Sequence, residues 1–315
     1  MKASVIIPTR NGAENLERLL KALGEQTLRP EQVLVVDSSS DDDTLKICRD
    51  CGADLIQVDL KTFDHGGTRN LAASRALGDV LIFMTQDAVF KDNECLKNLI
   101  YPLEDSTVGA SYSRQIPKED ANLIERFLRG FNYPPSEVTK GIEDLPNLGI
   151  KTFFFSNVCS AIKKLAYEEV GGFPGKTITN EDMFLAAKLL MKGYKIAYQS
   201  HAVIYHSHNY SFGLQFKRYF DIGVFFNRNQ WLRDLAKAEG EGIKCLKEMV
   251  RFLFANRRWT WVPYGLADAA NRYLGYRVGL LEGVLPLWIK KKISYNKNFW
   301  NNKVSSLIDR RDARF

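Results

Sequence analysis

DVLIFMTQDA, residues 79–88, is the stretch on which the fold turns. Its apolar residues Val80 to Met84 stop abruptly at Thr85, Gln86 and Asp87. A run that short and apolar throughout fits a strand buried on both faces, the kind found in parallel sheets covered by helices. The same form recurs upstream. ASVIIP (3–8) is stopped by a proline and followed by a polar loop and the helical spacing Leu16, Leu19, Leu20, Leu23. QVLVVDSSS (32–40) ends in Asp37 and three serines, before a helix with an acid-rich first turn and a closing glycine, DDDTLKICRDCG. ADLIQVD supplies another strand, and TRNLAASRALG the helix leading into 79–88. Strands and helices alternating at this spacing predict an α/β protein whose ligand binds beyond the carboxyl ends of its strands.

Bulk properties narrow the classes. The 315 residues are 45% apolar and 26% charged, enough to bury a full core in one large or two modest domains. The opening residues lack the charged-then-apolar pattern of a secretory signal, and the longest C-terminal apolar run, 279–289, is too short to span a bilayer. The expectation is a cytosolic protein. Five cysteines, an odd number, fit reduced thiols rather than a disulfide framework. Cys48 and Cys51 form a C-x-x-C pair, but no second pair completes four zinc ligands, and a redox pair belongs at a helix start rather than late in one. The net charge of +7 is uneven: 20 basic against 9 acidic residues from Leu214 onward, and 24 against 28 before it. A basic, aromatic C-terminal third suggests an acidic partner such as anionic lipid, a lipid-linked pyrophosphate or nucleic acid.

Beyond Phe90 the pattern predicts a helix over 92–103, a strand at VGASYS, a helix near 119–130 and a loop rich in Pro, Gly and Asn from 133 to 149. Order resumes at KTFFFSNVCSAI. AYEEVGGF reads as a short helix closed by a glycine pair, NEDMFLAAKLLMKG as a capped helix, and YKIAYQS and AVIYHSH as strands. From Ser211 the text is helical.

The strand ends gather Pro8, Thr9, Arg10 and Asn11, then Asp37, then Thr85, Gln86 and Asp87. No G-x-G-x-x-G follows the first strand and no G-x-x-x-x-G-K-[ST] occurs, so neither a dinucleotide fingerprint nor a P-loop is signalled. Taken singly, Asp37 and Asp87 read as turn formers or caps. In order and spacing, however, SVIIPTRNGAENLERLLKAL, VLVVDSSSDDDT, GGTRNLAASRALGDVLIFMTQDA, EEVGGF and NEDMFLAAKLLMKGYKIAY resemble the inverting family-2-type nucleotide-sugar glycosyltransferases over about residues 3–210. The resemblance implies the GT-A fold, a doubly wound, mostly parallel α/β sheet, with a helical C-terminal extension. It makes 1–210 the catalytic domain, with a donor half to about 115 and an acceptor half over about 116–210, and leaves 211–315 as a helical region for membrane or oligomer contact.

Position by position, the resemblance implies that Pro8, Thr9 and Asn11 wall the nucleotide pocket, that Asp37 meets the base, and that Arg69, Asn70 and Gln86 lie near the nucleotide. TQDA stands where the family has D-x-D, with Thr85 replacing the first Asp, so Asp87 is left to hold Mg²⁺ or Mn²⁺ beside the diphosphate. His206 matches a position where related enzymes add an imidazole, and His208 shares its strand face. Inversion needs a carboxylate opposite the leaving group to take the acceptor's proton, which points to Asp182 with Glu181 in support. The plain alternative is that these carboxylates favour a helix start, with Thr179 and Asp182 as a capping box.

KTFDHGGTRN (61–70) falls between the Asp37 and Asp87 strand ends. It is expected to bring Asp64, His65, Gly66 and Gly67 to the donor sugar, with the glycines allowing close backbone approach. F-D-H-G-G-T-R-N, VVDSSS and TQDA are similar to the rhamnosyltransferase branch, which implies dTDP-β-L-rhamnose as donor and a lipid-linked or oligosaccharide acceptor for a bacterial surface polysaccharide. A UDP-linked donor, or a silent nucleotide- or saccharide-binding module, is the alternative. The C-terminal third mixes arginines with tryptophan, tyrosine and aliphatics, and Lys290 to Lys292 suit anionic headgroups. Packing on the catalytic domain or on a second subunit is the other reading. Gln230 to Arg233 gives Q-x-x-R without the following Trp of processive synthases, so single transfers are expected, on the cytoplasmic face of the inner membrane and without nucleic acid.

Overall fold

The computed structural model describes residues 1–61, 63–236 and 239–301. The chain begins as strand and helix in alternation: β1 (Ala3–Thr9), α1 (Ala13–Gly24), β2 (Gln32–Asp37), α2 (Thr44–Asp50), β3 (Asp54–Gln57), α3 (His65–Ala73) and β4 (Val80–Met84). The strands lie parallel in the order β3-β2-β1-β4. Every residue of β4 and all but Pro8 of β1 are buried, which is why both read as unbroken apolar runs. α1 turns Leu16, Leu19, Leu20 and Leu23 into the layer that covers one face.

Next come β5 (Val89–Phe90), α4 (Cys95–Ile100), β6 (Val108–Ile116), α5 (Leu123–Asn132), β7 (Val138–Lys140), α6 (Leu145–Leu148), β8 (Cys159–Lys163), α7 (Lys164–Glu169), α8 (Glu181–Met191) and β9 (Lys195–Tyr205). They extend the sheet from β4 through β8, β6 and β9 to β5, with β7 also on β9. Here the sheet is mixed rather than parallel. Thr85 N–H donates to the Val158 carbonyl (3.2 Å) and Cys159 pairs with Met84, so β8 enters at the carboxyl end of β4 and runs back along it. β6 and β9 are parallel to each other, while β5 and β7 oppose β9. The helix expected over 92–103 is α4 plus a 3₁₀ turn, Tyr101–Glu104, where Pro102 enters.

YKIAYQS and AVIYHSH form one strand, not two. The β6–β9 register jumps from Ser113↔Gln199 to Arg114↔Val203, the mark of a bulge on β9. The new register sets Gln115 opposite Ile204 and Ile116 opposite Tyr205, and His206 N–H donates to the Ile116 carbonyl (3.0 Å).

Among the described residues, five helices follow: α9 (Phe212–Arg228), α10 (Gln230–Ala236), α11 (Glu239–Ala255), α12 (Val262–Leu280) and α13 (Leu287–Ile293). α9 and α12 touch backbone to backbone: a Cβ on Gly223 would lie 2.2 Å from the Tyr276 carbonyl oxygen, so only glycine permits the approach. Phe220, Val224 and Phe225 of α9 share one core with Leu185 and Leu189 of α8 and with Ile6 and Phe83 of the sheet. This part of the C-terminal region packs on the α/β unit.

Candidate active site

The carboxyl ends of β1 and β4 open on a cavity of about 1100 Å³. Pro8, Thr9, Arg10, Gln86 and Asp87 line it from the strand ends, His65 and Arg69 from α3, and the loop over 174–178 and residues 295–299 from farther along the chain. Thr9 Oγ1 donates to Gln86 Oε1 (2.5 Å), which also accepts the Arg10 N–H (3.0 Å), so the two strand ends form one floor.

Not every residue assigned to the nucleotide stands in that floor. Asp37 is fully buried; its carboxylate accepts the Ser40 N–H (3.0 Å) and the Ser40 hydroxyl, the bonds of a turn former. Asn11 has a left-handed backbone (φ 45°), and its Oδ1 accepts the Asp41 N–H (3.1 Å). Asn70 faces the glycine-rich loop instead of the cavity: Nδ2 donates to the Phe173 carbonyl (3.0 Å), while Oδ1 accepts the Phe173 N–H (3.0 Å) and the Tyr167 hydroxyl. Through these bonds Asn70 fastens α3 to residues 167–173.

The 61–70 stretch also makes contacts within the chain. Asp64 is the N-cap of α3; its Oδ2 accepts N–H groups from Gly67 (2.6 Å) and Lys176 (3.2 Å). Gly66 gives close approach not to a ligand but to this chain, since a Cβ there would lie 2.1 Å from the Pro174 carbonyl oxygen. Gly66 and Gly67 do not line the cavity, whereas Asp64 and His65 do. These contacts tie the start of α3 to residues 174 and 176.

Three side chains converge on one point at the end of β4. Asp87 Oδ2 lies 3.4 Å from His206 Nε2 and 3.1 Å from His208 Nε2, and the two nitrogens are 3.1 Å apart. Donors about 2.1 Å from a common octahedral ion stand about 3 Å apart along each edge, so these three fit one face of such a site. Burial opposes the charge on Asp87, but the two histidines beside it hold the carboxyl far below its usual range. Burial lowers His206 in spite of Asp87, which favours the neutral imidazole that a metal needs. Two imidazoles and one carboxylate suit Mn²⁺ better than Mg²⁺, which prefers oxygen.

Glu181 and Asp182 open α8 without capping it. The helix starts from Asn180 in the left-handed region (φ 58°) with no side-chain cap, so the capping-box alternative does not hold. Glu181 is buried and pairs with Arg69 Nη1 (3.1 Å). Burial would raise its pKa; Arg69 and His65 outweigh burial and keep it ionised. Asp182 Oδ2 accepts the Asn157 N–H at 3.4 Å, one residue from the Val158 carbonyl that holds Thr85. Burial, then the Glu181 charge, pushes Asp182 up to about 7. Neither carboxylate lines the cavity; Ile178 and Phe184, on either side of them in the chain, do.

The wall made by 295–299 was not foreseen, because the sequence reading gave 211–315 only as a helical region for membrane or oligomer contact. A buried clamp places it. Asp221 Oδ1 accepts the Ser294 hydroxyl (2.6 Å), Oδ2 accepts the Asn296 N–H (2.8 Å), and Asn296 Nδ2 donates to the Ile178 carbonyl (2.6 Å). Buried Trp300 anchors the far end. No motif signals this; the lone Asp in the apolar stretch FDIGVFF was the one available hint.

Comparison with known proteins accords with this geometry. The model of glycosyl transferase family 2 matches residues 4–171. The O-antigen chain rhamnosyltransferase RfbN of Salmonella typhimurium is 42% identical over 96% of this chain and 97% of its own length. WbaN of Salmonella anatum, another O-antigen chain rhamnosyltransferase, is 40% identical over 95% and 96%. Among solved structures, the mannosyltransferase PcManGT from Pyrobaculum calidifontis, in complex with GDP-Man and Mn²⁺, superposes with a TM-score of 0.61 at 19% identity over 90% of this chain and 88% of its own. TarS of S. aureus, in complex with UDP-GlcNAc, gives 0.52 at 16% over 90% and 91%. These two share the fold. A matching family model over more than half the chain and end-to-end relatives place it: the protein is a glycosyltransferase belonging to glycosyl transferase family 2, with the GT-A fold.

Proposed function

We propose that the protein transfers L-rhamnose, with inversion, from dTDP-β-L-rhamnose to a lipid-linked saccharide in O-antigen synthesis. The observation that carries the reading is the end-to-end likeness to two O-antigen chain rhamnosyltransferases, joined to a cavity lined by Asp87 of the candidate cation site. Nucleotide sugars occupy the neighbours PcManGT and TarS, which supports a nucleotide-sugar donor here.

In this reading Thr9, Arg10, Gln86 and Arg69 receive the nucleotide, and His65 meets the sugar. Asp87, His206 and His208 would hold a divalent ion, which when bound supplies charge neutralisation at the diphosphate. Asp182 takes the proton from the attacking acceptor hydroxyl; a carboxyl raised by burial is a stronger base than one in water. Glu181, kept ionised by Arg69, maintains that raised value.

The acceptor's lipid would bring the enzyme to a membrane surface. Leu281, Val284, Leu287 and Trp288 are exposed together beside Lys291 and Lys292, a composition suited to anionic headgroups. Among the described residues no helix is long and apolar enough to cross a membrane, so contact would be peripheral.

A melting-temperature panel of nucleotide sugars with Mn²⁺ tests the donor, because a selective ligand stabilises by mass action. dTDP-rhamnose should raise the melting temperature more than UDP- or GDP-linked sugars do. Equal responses to all donors, or a preference for a UDP-sugar, would sink the donor assignment.

A further inference from the structure

Gln115 of β6 is 1% exposed, and its amide has three protein neighbours. Nε2 donates to Ser156 Oγ (2.9 Å); Oε1 accepts from Arg129 Nη1 (2.5 Å) and lies 3.0 Å from His206 Nδ1. A guanidinium only donates, so it is the amide oxygen that faces Arg129 and therefore also His206. An amide oxygen only accepts, so the proton of that contact belongs to His206 Nδ1. In the neutral imidazole this leaves Nε2 as a bare lone pair, aimed at the Asp87 and His208 side. Arg129 is itself held by Glu125, through Nη2 at 2.7 Å and Nε at 2.8 Å, and Glu125 is buried.

We propose that Gln115, backed by Arg129 and Glu125, is the positioning residue that fixes His206 as its Nδ1–H tautomer and so turns Nε2 into a metal donor. The inference rests on the metal reading of Asp87, His206 and His208. It goes beyond that reading by naming three residues from β6 and α5 that are neither candidate ligands nor part of the cavity lining. The bulge in β9 makes the contact, because it sets the register that brings Gln115 beside the strand end carrying His206.

The test is Mn²⁺ titration of the full chain, followed through the electron paramagnetic resonance signal of free Mn²⁺. Gln115→Leu should weaken Mn²⁺ binding about 10- to 100-fold, the usual cost of losing a hydrogen-bond partner behind a ligating histidine. Gln115→Glu, which still accepts from both Arg129 and His206, should restore it to near the wild-type value. A folded Gln115→Leu protein that binds Mn²⁺ like wild type would overturn the proposal. Long-range ¹H–¹⁵N spectra of the metal-free wild type give a second measurement that needs no variant: protonated Nδ1 and bare Nε2 at His206 are expected, and the opposite tautomer overturns the proposal. Wild-type protein that binds no Mn²⁺ would remove the metal reading itself, and the spectra would still decide the tautomer.

Discussion

The sheet and the C-terminal helices meet the same cavity by opposite routes. In the sheet, the site residues of β1 and β4 lie at or just beyond the carboxyl end of a buried strand, so an apolar run fixes where the polar group must appear. In the helices, the wall comes from a segment outside any long helix, held by one buried carboxylate on a neighbour. The first arrangement is local in the chain and rigid. The second joins residues more than seventy positions apart and depends on a few hydrogen bonds. Chemistry should therefore fail when the sheet ends are altered, and placement when the clamp is.

The largest effect is expected at Asp182. Asp182→Asn should lower transfer by about 10²- to 10⁴-fold, the span of general base catalysis, with the melting temperature within a few degrees of wild type. Retained activity would move the base elsewhere and erase the contrast with the clamp. Asp87→Ala should abolish measurable Mn²⁺ binding, because it removes the anionic ligand of the three; calorimetry checks this, and unchanged affinity would put the ion at another place. The pH dependence should follow Asp182: the base works deprotonated, so kcat/KM should fall as pH drops through about 7 and level off above it. A limb near 4 would mean that burial does not govern this carboxyl.

The clamp should give a smaller, structural signal. Asp221→Ala leaves the Ser294 hydroxyl and the Asn296 N–H without their acceptor, for about 1–3 kcal/mol of stability per unsatisfied group, read from chemical denaturation. A variant as stable as wild type would show that residues 295–299 hold their place without it. The smallest change is expected from Trp288→Ser, which should lower binding to anionic vesicles several-fold while leaving binding to neutral ones weak. Equal binding of both proteins would take the exposed apolar cluster out of the membrane reading.

How far the sequence could be read follows the same division. β1 and β4 were legible because both their faces are buried, and Gln86 and Asp87 because each follows where the apolar run ends. The contacts that Asp64, Asn70 and Gly66 make within the chain were not legible. Their partners are backbone groups of residues 173–176, about a hundred positions away, and no local pattern records such a meeting. The β8 reversal escaped because a five-residue apolar strand looks alike in either direction. Gln115 and Arg129 escaped because the register shift that brings them to His206 lies in the partner strand.

The clamp also sets an order in time. Among the described residues, 295–299 carry the highest numbers of those that line the cavity, so during synthesis they leave the ribosome after the strand ends, α3 and α8 have emerged. Until then the pocket lacks a side. A nascent chain can thus complete its sheet without yet having a closed site, and the segment that closes it is drawn in by one aspartate already waiting in the core.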